Sequence, residues 1–232
     1  MDANLQLGDV TITVRRKPIK NLHLSAHPPT GRVTISAPER MRFDRIRLFA
    51  ISKLDWIKRQ QGTLRAQERE TPRDFVERES HYVWGRRYLM SVEETEGGSF
   101  VELHPRRIVL GVRSGTTADI RRAILERWYR DQIRAAVPEF IRKWEPILDV
   151  AVKEFFVCRM KTKWGSCSPE RRNIRLNTEL AKKPKECLEY VIVHEMVHLL
   201  EPTHGPRFQE LMNCHLGSWR STRGLLNNLP IH

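Results

Sequence analysis

No run of this sequence approaches the roughly 20 consecutive apolar residues that a membrane helix requires. The N-terminus, Met1-Asp2-Ala3-Asn4-Leu5-Gln6-Leu7-Gly8-Asp9, has neither the basic start nor the apolar stretch of a secretory signal. The expectation is a cytoplasmic protein with no membrane partner. Cysteine is scarce: Cys158, Cys167, Cys187 and Cys214 include no C-x-x-C pair, which argues against a disulfide framework. Cys187 is read as a small core residue. Cys167, in the turn Trp164-Gly165-Ser166-Cys167-Ser168, is read as a buried structural one. Neither a Gly-rich phosphate-cradling loop nor an aspartate cluster for magnesium is present. No internal repeat and no low-complexity tract are visible.

Acidic residues are the minority charge, 28 Asp+Glu against 41 Lys+Arg, for a net +13. The excess is uneven: residues 1–70 hold 14 basic and 7 acidic residues, residues 71–115 hold 7 and 7, and residues 116–232 hold 20 and 14. Such a surface either keeps the chain soluble or makes weak, sequence-independent contact with nucleic acid or another polyanion. With 40% apolar and 30% charged residues over 232 positions, the chain is expected to be globular, as one large domain or two small ones.

Hydrophobic period divides the chain. Val10-Thr11-Ile12-Thr13-Val14, Leu22-His23-Leu24 and Val33-Thr34-Ile35-Ser36 alternate as strands do, with a hairpin turn expected at Pro28-Pro29-Thr30-Gly31. Phe43, Ile46, Phe49, Ala50, Leu54 and Ile57 recur at helical spacing, predicting one helix over 43–64 and a charged linker through Arg73. A second strand-rich stretch runs from Tyr82 to Val112, with a hairpin turn expected at Glu96-Gly97-Gly98-Ser99. From Thr117 the period becomes helical, with Pro138 a candidate kink. Two short strands at 151–160 and 173–177 follow, then helices over 184–200 and 206–216. The fold class expected is α+β: a β-rich region over 1–115 with one helix, and a second domain over 116–232.

The second domain carries the chemistry. On the helix that begins at Pro184, His194 and His198 stand four residues apart and project from one face, so both can bind one ion. Glu195 lies beside them, placed to reach a metal-bound water rather than the metal. Chance alone supplies such an H-E-x-x-H roughly 0.03 times in a chain of this composition, which weakens a purely structural reading. A catalytic zinc takes three protein ligands and leaves one position for water. His204, ten residues after His194, fits that third place, although Glu201 stands where the usual turn-forming glycine would be. After His198 the acidic alternatives are Glu201 and Glu210 alone. A zinc here would activate water, with Glu195 as general base. Tyr190, Arg207 and Lys163 are open candidates to stabilise an oxyanion.

Several segments together resemble the YgjP-like metallopeptidase family, a relative of the SprT-like and WLM zincins. They are Lys163-Trp164-Gly165-Ser166-Cys167-Ser168, Asn173-Ile174-Arg175-Leu176-Asn177, Leu188 through His198, and His204-Gly205-Pro206-Arg207-Phe208. Ile51-Ser52-Lys53-Leu54-Asp55-Trp56-Ile57 and Gly85-Arg86-Arg87-Tyr88 are compatible with it. The resemblance implies a zincin-like domain with His194, His198 and His204 as zinc ligands and Glu195 as the catalytic residue. It also implies a polypeptide substrate, with a strand near the Trp164–Ser168 loop able to receive it. The expected function is a zinc metallopeptidase. Two alternatives stay open: a nucleotide or phosphoester hydrolase on the same site, and a nucleic-acid-associated protein whose metal is structural.

Overall fold

The structure is a computed structural model that describes residues 3–27, 31–66, 75 and 77–228. The chain divides into two compact units, Met1–Glu68 and Arg69–His232. In the first, β1 (Ala3–Leu7), β2 (Val10–Lys17), β3 (His23–His27) and β4 (Arg32–Pro38) form a sheet of order β1-β2-β4-β3. The alternation read from the sequence sets its two faces. Ile12 and Val14 on β2 stand beside Val33 and Ile35 on β4 in parallel register, and all four are buried. Two helices, α1 (Phe43–Ser52) and α2 (Leu54–Ala66), bring Ile46, Ala50 and Ile57 into the same core.

One helix was expected over 43–64, but the chain breaks at Lys53, whose φ of −110° and ψ of 8° leave the helical region. Ser52 Oγ donates to the carbonyl of Phe49 at 2.8 Å, a local bond that competes with the helical ladder. β3 and β4 are antiparallel neighbours, joined from His27 to Arg32 as the hairpin reading required. Pro28–Thr30 and most of the expected linker, 67–74, lie outside the described residues.

In the second unit, β5 (Ser80–Val83), β6 (Arg86–Glu94), β7 (Phe100–Leu103) and β8 (Arg107–Val112) form a sheet of order β5-β6-β8-β7. Residues 96–99 were expected to make a hairpin turn, and they do not. β6 runs parallel to β8, so this stretch carries the chain past one strand position, and the hairpin closes between β7 and β8 instead. Phe100 pairs with Gly111, and a side chain at Gly111 would collide with its ring. The same order and pairing senses occur in both four-stranded sheets: antiparallel, parallel, antiparallel, then a helix. The repeat is topological and leaves no periodic residue pattern.

The sheet of β5–β8 packs on α3 (Ala118–Leu148), with Val83, Met90, Ile108 and Leu110 in one core with Leu125, Tyr129 and Ile133. The sheet of β5–β8 thus belongs to the compact unit that begins at Arg69. The remaining elements are β9 (Glu154–Cys158), β10 (Gly165–Ser168), β11 (Asn173–Asn177), a 3₁₀ helix (Thr178–Lys182), α4 (Lys185–Val197), α5 (Pro206–His215) and α6 (Trp219–Asn228). The Trp164–Ser168 segment, expected to be a turn, is largely β10, an edge strand paired antiparallel to β11. Among the described residues no helix is long and apolar enough to cross a membrane.

The two-residue turn Trp84-Gly85 joins β5 to β6 with φ of 49° and 78°, the left-handed pair that a tight hairpin favours. Its tip docks on the segment that leads into α4: Trp84 N donates to Ala181 O at 2.8 Å, and Gly85 N to Lys182 O at 3.3 Å. A Cβ on Gly85 would stand 2.8 Å from Pro184 Cγ. Gly85→Ala therefore combines a disfavoured backbone with a clash and is expected to destabilise the protein by about 1–3 kcal/mol. Urea unfolding measures this. An unchanged midpoint would show that the tip does not bear on stability.

Candidate metal centre

α4 is apolar on nearly every side. Cys187, Leu188, Val191, Ile192, Val193, Met196 and Val197 are all buried, so it runs through the core rather than over it. Pro184, at φ −50° and ψ 145°, stands outside its first turn and marks where it starts. Its last turn carries His194, and His198 caps its end, so the two rings meet with centroids 4.9 Å apart.

The chain then reverses to bring back His204. Thr203 donates to the Glu201 carboxylate twice, from its backbone N at 3.0 Å and its Oγ1 at 2.7 Å. These bonds hold the Glu201 carboxyl below the usual carboxylate range and help to build the turn, in which Glu201 stands in place of the usual glycine. Glu201 is thus committed to the turn. Glu210, the other acidic alternative, is exposed and lies 3.9 Å from Arg207. Among the described residues, the group that could hold an ion is His194, His198 and His204, whose donor atoms lie within 4.8 Å of one another.

His204 Nε2 is 2.9 Å from His194 Nε2 and 3.1 Å from His198 Nε2. A tetrahedral zinc with bonds of about 2.0–2.1 Å separates neighbouring nitrogens by about 3.3 Å, so the spacing fits such an ion. Protonation fits as well. His198 Nδ1 lies 3.0 Å from the Glu201 carbonyl, which can only accept, so the ring's hydrogen sits on Nδ1 and the Nε2 lone pair is free. Burial, then the neighbouring His198, His204 and Arg223, drives the His194 pKa down to about 3 and keeps it neutral. Burial, His198 and Arg223 lower His204 in the same direction. His194 Nδ1 is buried and has no hydrogen-bond partner among the described residues. Phe208, on α5, stands with its ring centre 4.7–4.9 Å from all three imidazoles and fixes their backs.

Glu195 is 5% exposed. Burial pushes its carboxyl up to about 8, opposed by Lys163. A cation held by the adjacent histidines would pull it back toward the ionised form. The carboxyl faces β10 across Gly165, where a Cβ would be 2.6 Å from Glu195 Oε1 and 2.8 Å from Val191 Cγ1. The glycine lets strand and helix touch backbone to side chain. Cys167, two residues on, is half-buried, and burial followed by the Glu195 charge raises its thiol to about 11. It is a neutral thiol.

These groups line one cleft of about 1070 Å³, walled by Trp164–Cys167, by α4, by Phe208, and by Trp219, Arg220 and Arg223 of α6. Of the three oxyanion candidates, Tyr190 and Lys163 face it and Arg207 does not. The α6 wall was missed in the sequence. Its signal was small: Trp219 and Leu226, both buried, stand two helical turns apart amid polar residues.

The model of the YgjP-like family, metallopeptidase domain, matches residues 20–229. Among solved structures the chain is similar to the metallopeptidase zymogen jannalysin of Methanocaldococcus jannaschii, at 20% identity over 39% of this chain and 92% of that one, with a TM-score of 0.34. It is also similar to the zymogen abylysin of Pyrococcus abyssi, at 18% identity over 41% of this chain and 99% of that one, with a TM-score of 0.35. No curated protein matches.

Two glycines in the cleft wall should respond oppositely to the same change. Gly165→Ala forces its methyl into Glu195 and Val191 and is expected to cost about 1–3 kcal/mol. Gly224→Ala, on α6 where the added carbon meets nothing within 4 Å among the described residues beyond its own stretch of helix, should stabilise by about 0.5–1 kcal/mol through helix propensity. Denaturant titration of both variants checks the pair, and effects of equal sign would contradict the packing described.

Proposed function

Because the chain belongs to the YgjP-like metallopeptidase family, we propose that it is a zinc-dependent peptidase in which His194, His198 and His204 hold the ion and Glu195 is the general base. The convergence of three imidazoles, with His204 Nε2 2.9 Å from His194 Nε2 and 3.1 Å from His198 Nε2, in one cleft with a buried carboxyl, carries this reading. Zinc, when bound, supplies Lewis acidity, lowering the pKa of water and polarising a carbonyl.

The chain's own residues do the rest. Glu195 accepts the proton of the attacking water and passes it to the leaving amine, since a peptide nitrogen departs only once protonated. Burial keeps it away from bulk water, and Gly165 fixes the side from which it is approached. Tyr190 stands one turn before His194, their rings 5.8 Å apart. Burial raises its pKa and so keeps its hydroxyl protonated, as a donor to the developing oxyanion. The carbonyl of Glu201 orients the His198 ring, so the turn after α4 serves the site through its backbone. A polypeptide is the substrate, and the cytoplasm is the proposed compartment.

Glu195→Gln is nearly isosteric and is expected to keep zinc content near one per chain while peptide hydrolysis falls by roughly 10²–10⁴-fold. His204→Ala should instead lower zinc affinity by more than the ten- to hundredfold typical of losing a ligand's hydrogen-bond partner. Metal analysis and cleavage assays, with unstructured polypeptides and nucleoside triphosphates run in parallel, separate the readings. Full activity in Glu195→Gln, or unchanged zinc affinity in His204→Ala, contradicts the assignment. Loss of triphosphate hydrolysis alone would make the phosphoester reading the better one.

The basic excess of residues 1–70, 14 Lys+Arg against 7 Asp+Glu, is proposed to give weak contact with polyanions. Binding to single-stranded and duplex DNA should fall steeply as salt rises. No binding even at low salt leaves the charge a solubilising role.

A further inference from the structure

Charge in the cleft is one-sided. Lys163, Arg220 and Arg223 line it, and Glu195 is the one carboxyl among its lining residues. Arg220 is already engaged: it donates to Asn213 Oδ1 and, at 3.5 Å, to Gln209 Oε1, and its guanidinium lies 4.4 Å from the centre of the Trp219 ring. Lys163 and Arg223 differ. Both are exposed, and neither side chain donates a hydrogen bond or forms an ion pair among the described residues. Elsewhere in this unit exposed cations do find carboxylates, as in Arg159 with Glu126 at 3.0 Å and Lys143 with Glu189 at 2.6 Å.

Both cations stand on firm supports, on different walls. The loop that carries Lys163 is pinned by Asn177, buried at 4%, whose Nδ2 donates to the carbonyls of Met160 and Lys163 at 2.8 Å each. The next residue is tied as well, Trp164 O accepting from Asn177 N at 2.9 Å. Arg223 projects from α6, which is anchored by the buried Trp219 and Leu226. Lys163 acts electrostatically on Glu195, whereas Arg223 acts on His194, His204 and Tyr190.

Two unpaired cations beside a site for a divalent ion repel that ion and weaken its binding. The arrangement becomes favourable once a ligand brings negative charge into the cleft. We propose that the cleft selects acidic polypeptides, with Lys163 on the β10 wall and Arg223 on the α6 wall each receiving an Asp or Glu side chain from opposite sides of the scissile bond. This specificity rests on the peptidase reading. Lys163 and Arg223 are specificity residues here, not parts of the bond-breaking machinery.

The test uses the full chain and one peptide frame, acetylated and amidated to remove end charges, with Glu or Gln at each position flanking the bond. Two readouts are taken: kcat/KM in the wild type, and fluorescence-detected binding to the Glu195→Gln protein. Glu peptides should exceed their Gln partners roughly 1.5- to fivefold at low salt, as expected for exposed charge pairs, and the gap should narrow as salt rises. Lys163→Gln should remove the preference on one side of the bond and Arg223→Gln on the other, and Arg223→Lys should keep part of it. Zinc content and thermal melting show that each variant is folded. Equal handling of Glu and Gln peptides in both readouts, or a preference that survives in the double variant, overturns the proposal. Because binding is read without turnover, a preference can be found or refuted even if no peptide is cut. Failure of the peptidase reading is then distinguishable from failure of this one.

Discussion

The contact between Gly165 and Glu195 constrains the rest of the site. The backbone of β10 lies close over the Glu195 carboxyl and helps to bury it, since any side chain at 165 would strike it. That contact needs β10 to be a strand, held in register by β11, and α4 to run beneath it as a buried helix. The buried helix in turn needs a start, set by Pro184, and an end, set by His198 and the Glu201–Thr203 turn. Three imidazoles then gather where α4 stops, backed by the ring of Phe208.

Part of this was legible before any coordinates. The i, i+4 spacing of His194 and His198 is a local property of a helix, so sequence alone places the rings side by side. The return of His204 was also readable, because the interval from His194 is short. The device that returns it was not, since side-chain bonds from Thr203 to Glu201 leave no periodic trace. Alternation gave β2, β4 and the faces they bury. It did not give the parallel pairings of β2 with β4 and β6 with β8, because pairing partners distant in sequence are chosen by the shared core. Two short elements escaped for related reasons. β10 contains glycine, serine and cysteine and looks like a turn until β11 pairs with it. α6 has only two buried anchors to show its period.

The two four-stranded sheets place the same design in two compact units. In each, an antiparallel pair is followed by a strand at the far edge, and the last strand slots in parallel to the second. In the second unit this construction bears on the site, because the sheet shares its core with α3 and with the residues of α4. The first unit has a core of its own.

The hairpin tip at Trp84-Gly85 has a consequence for the order of assembly. Ala181 and Lys182, which it grips, immediately precede the helix that holds His194 and Glu195. During synthesis the sheet and α3 are made first, and their surface is waiting when α4 leaves the ribosome. Every residue proposed to cut a polypeptide lies after position 189, and so follows the whole of that platform in chain order. A chain cut short before that point would contain the platform without the helix that is docked on it.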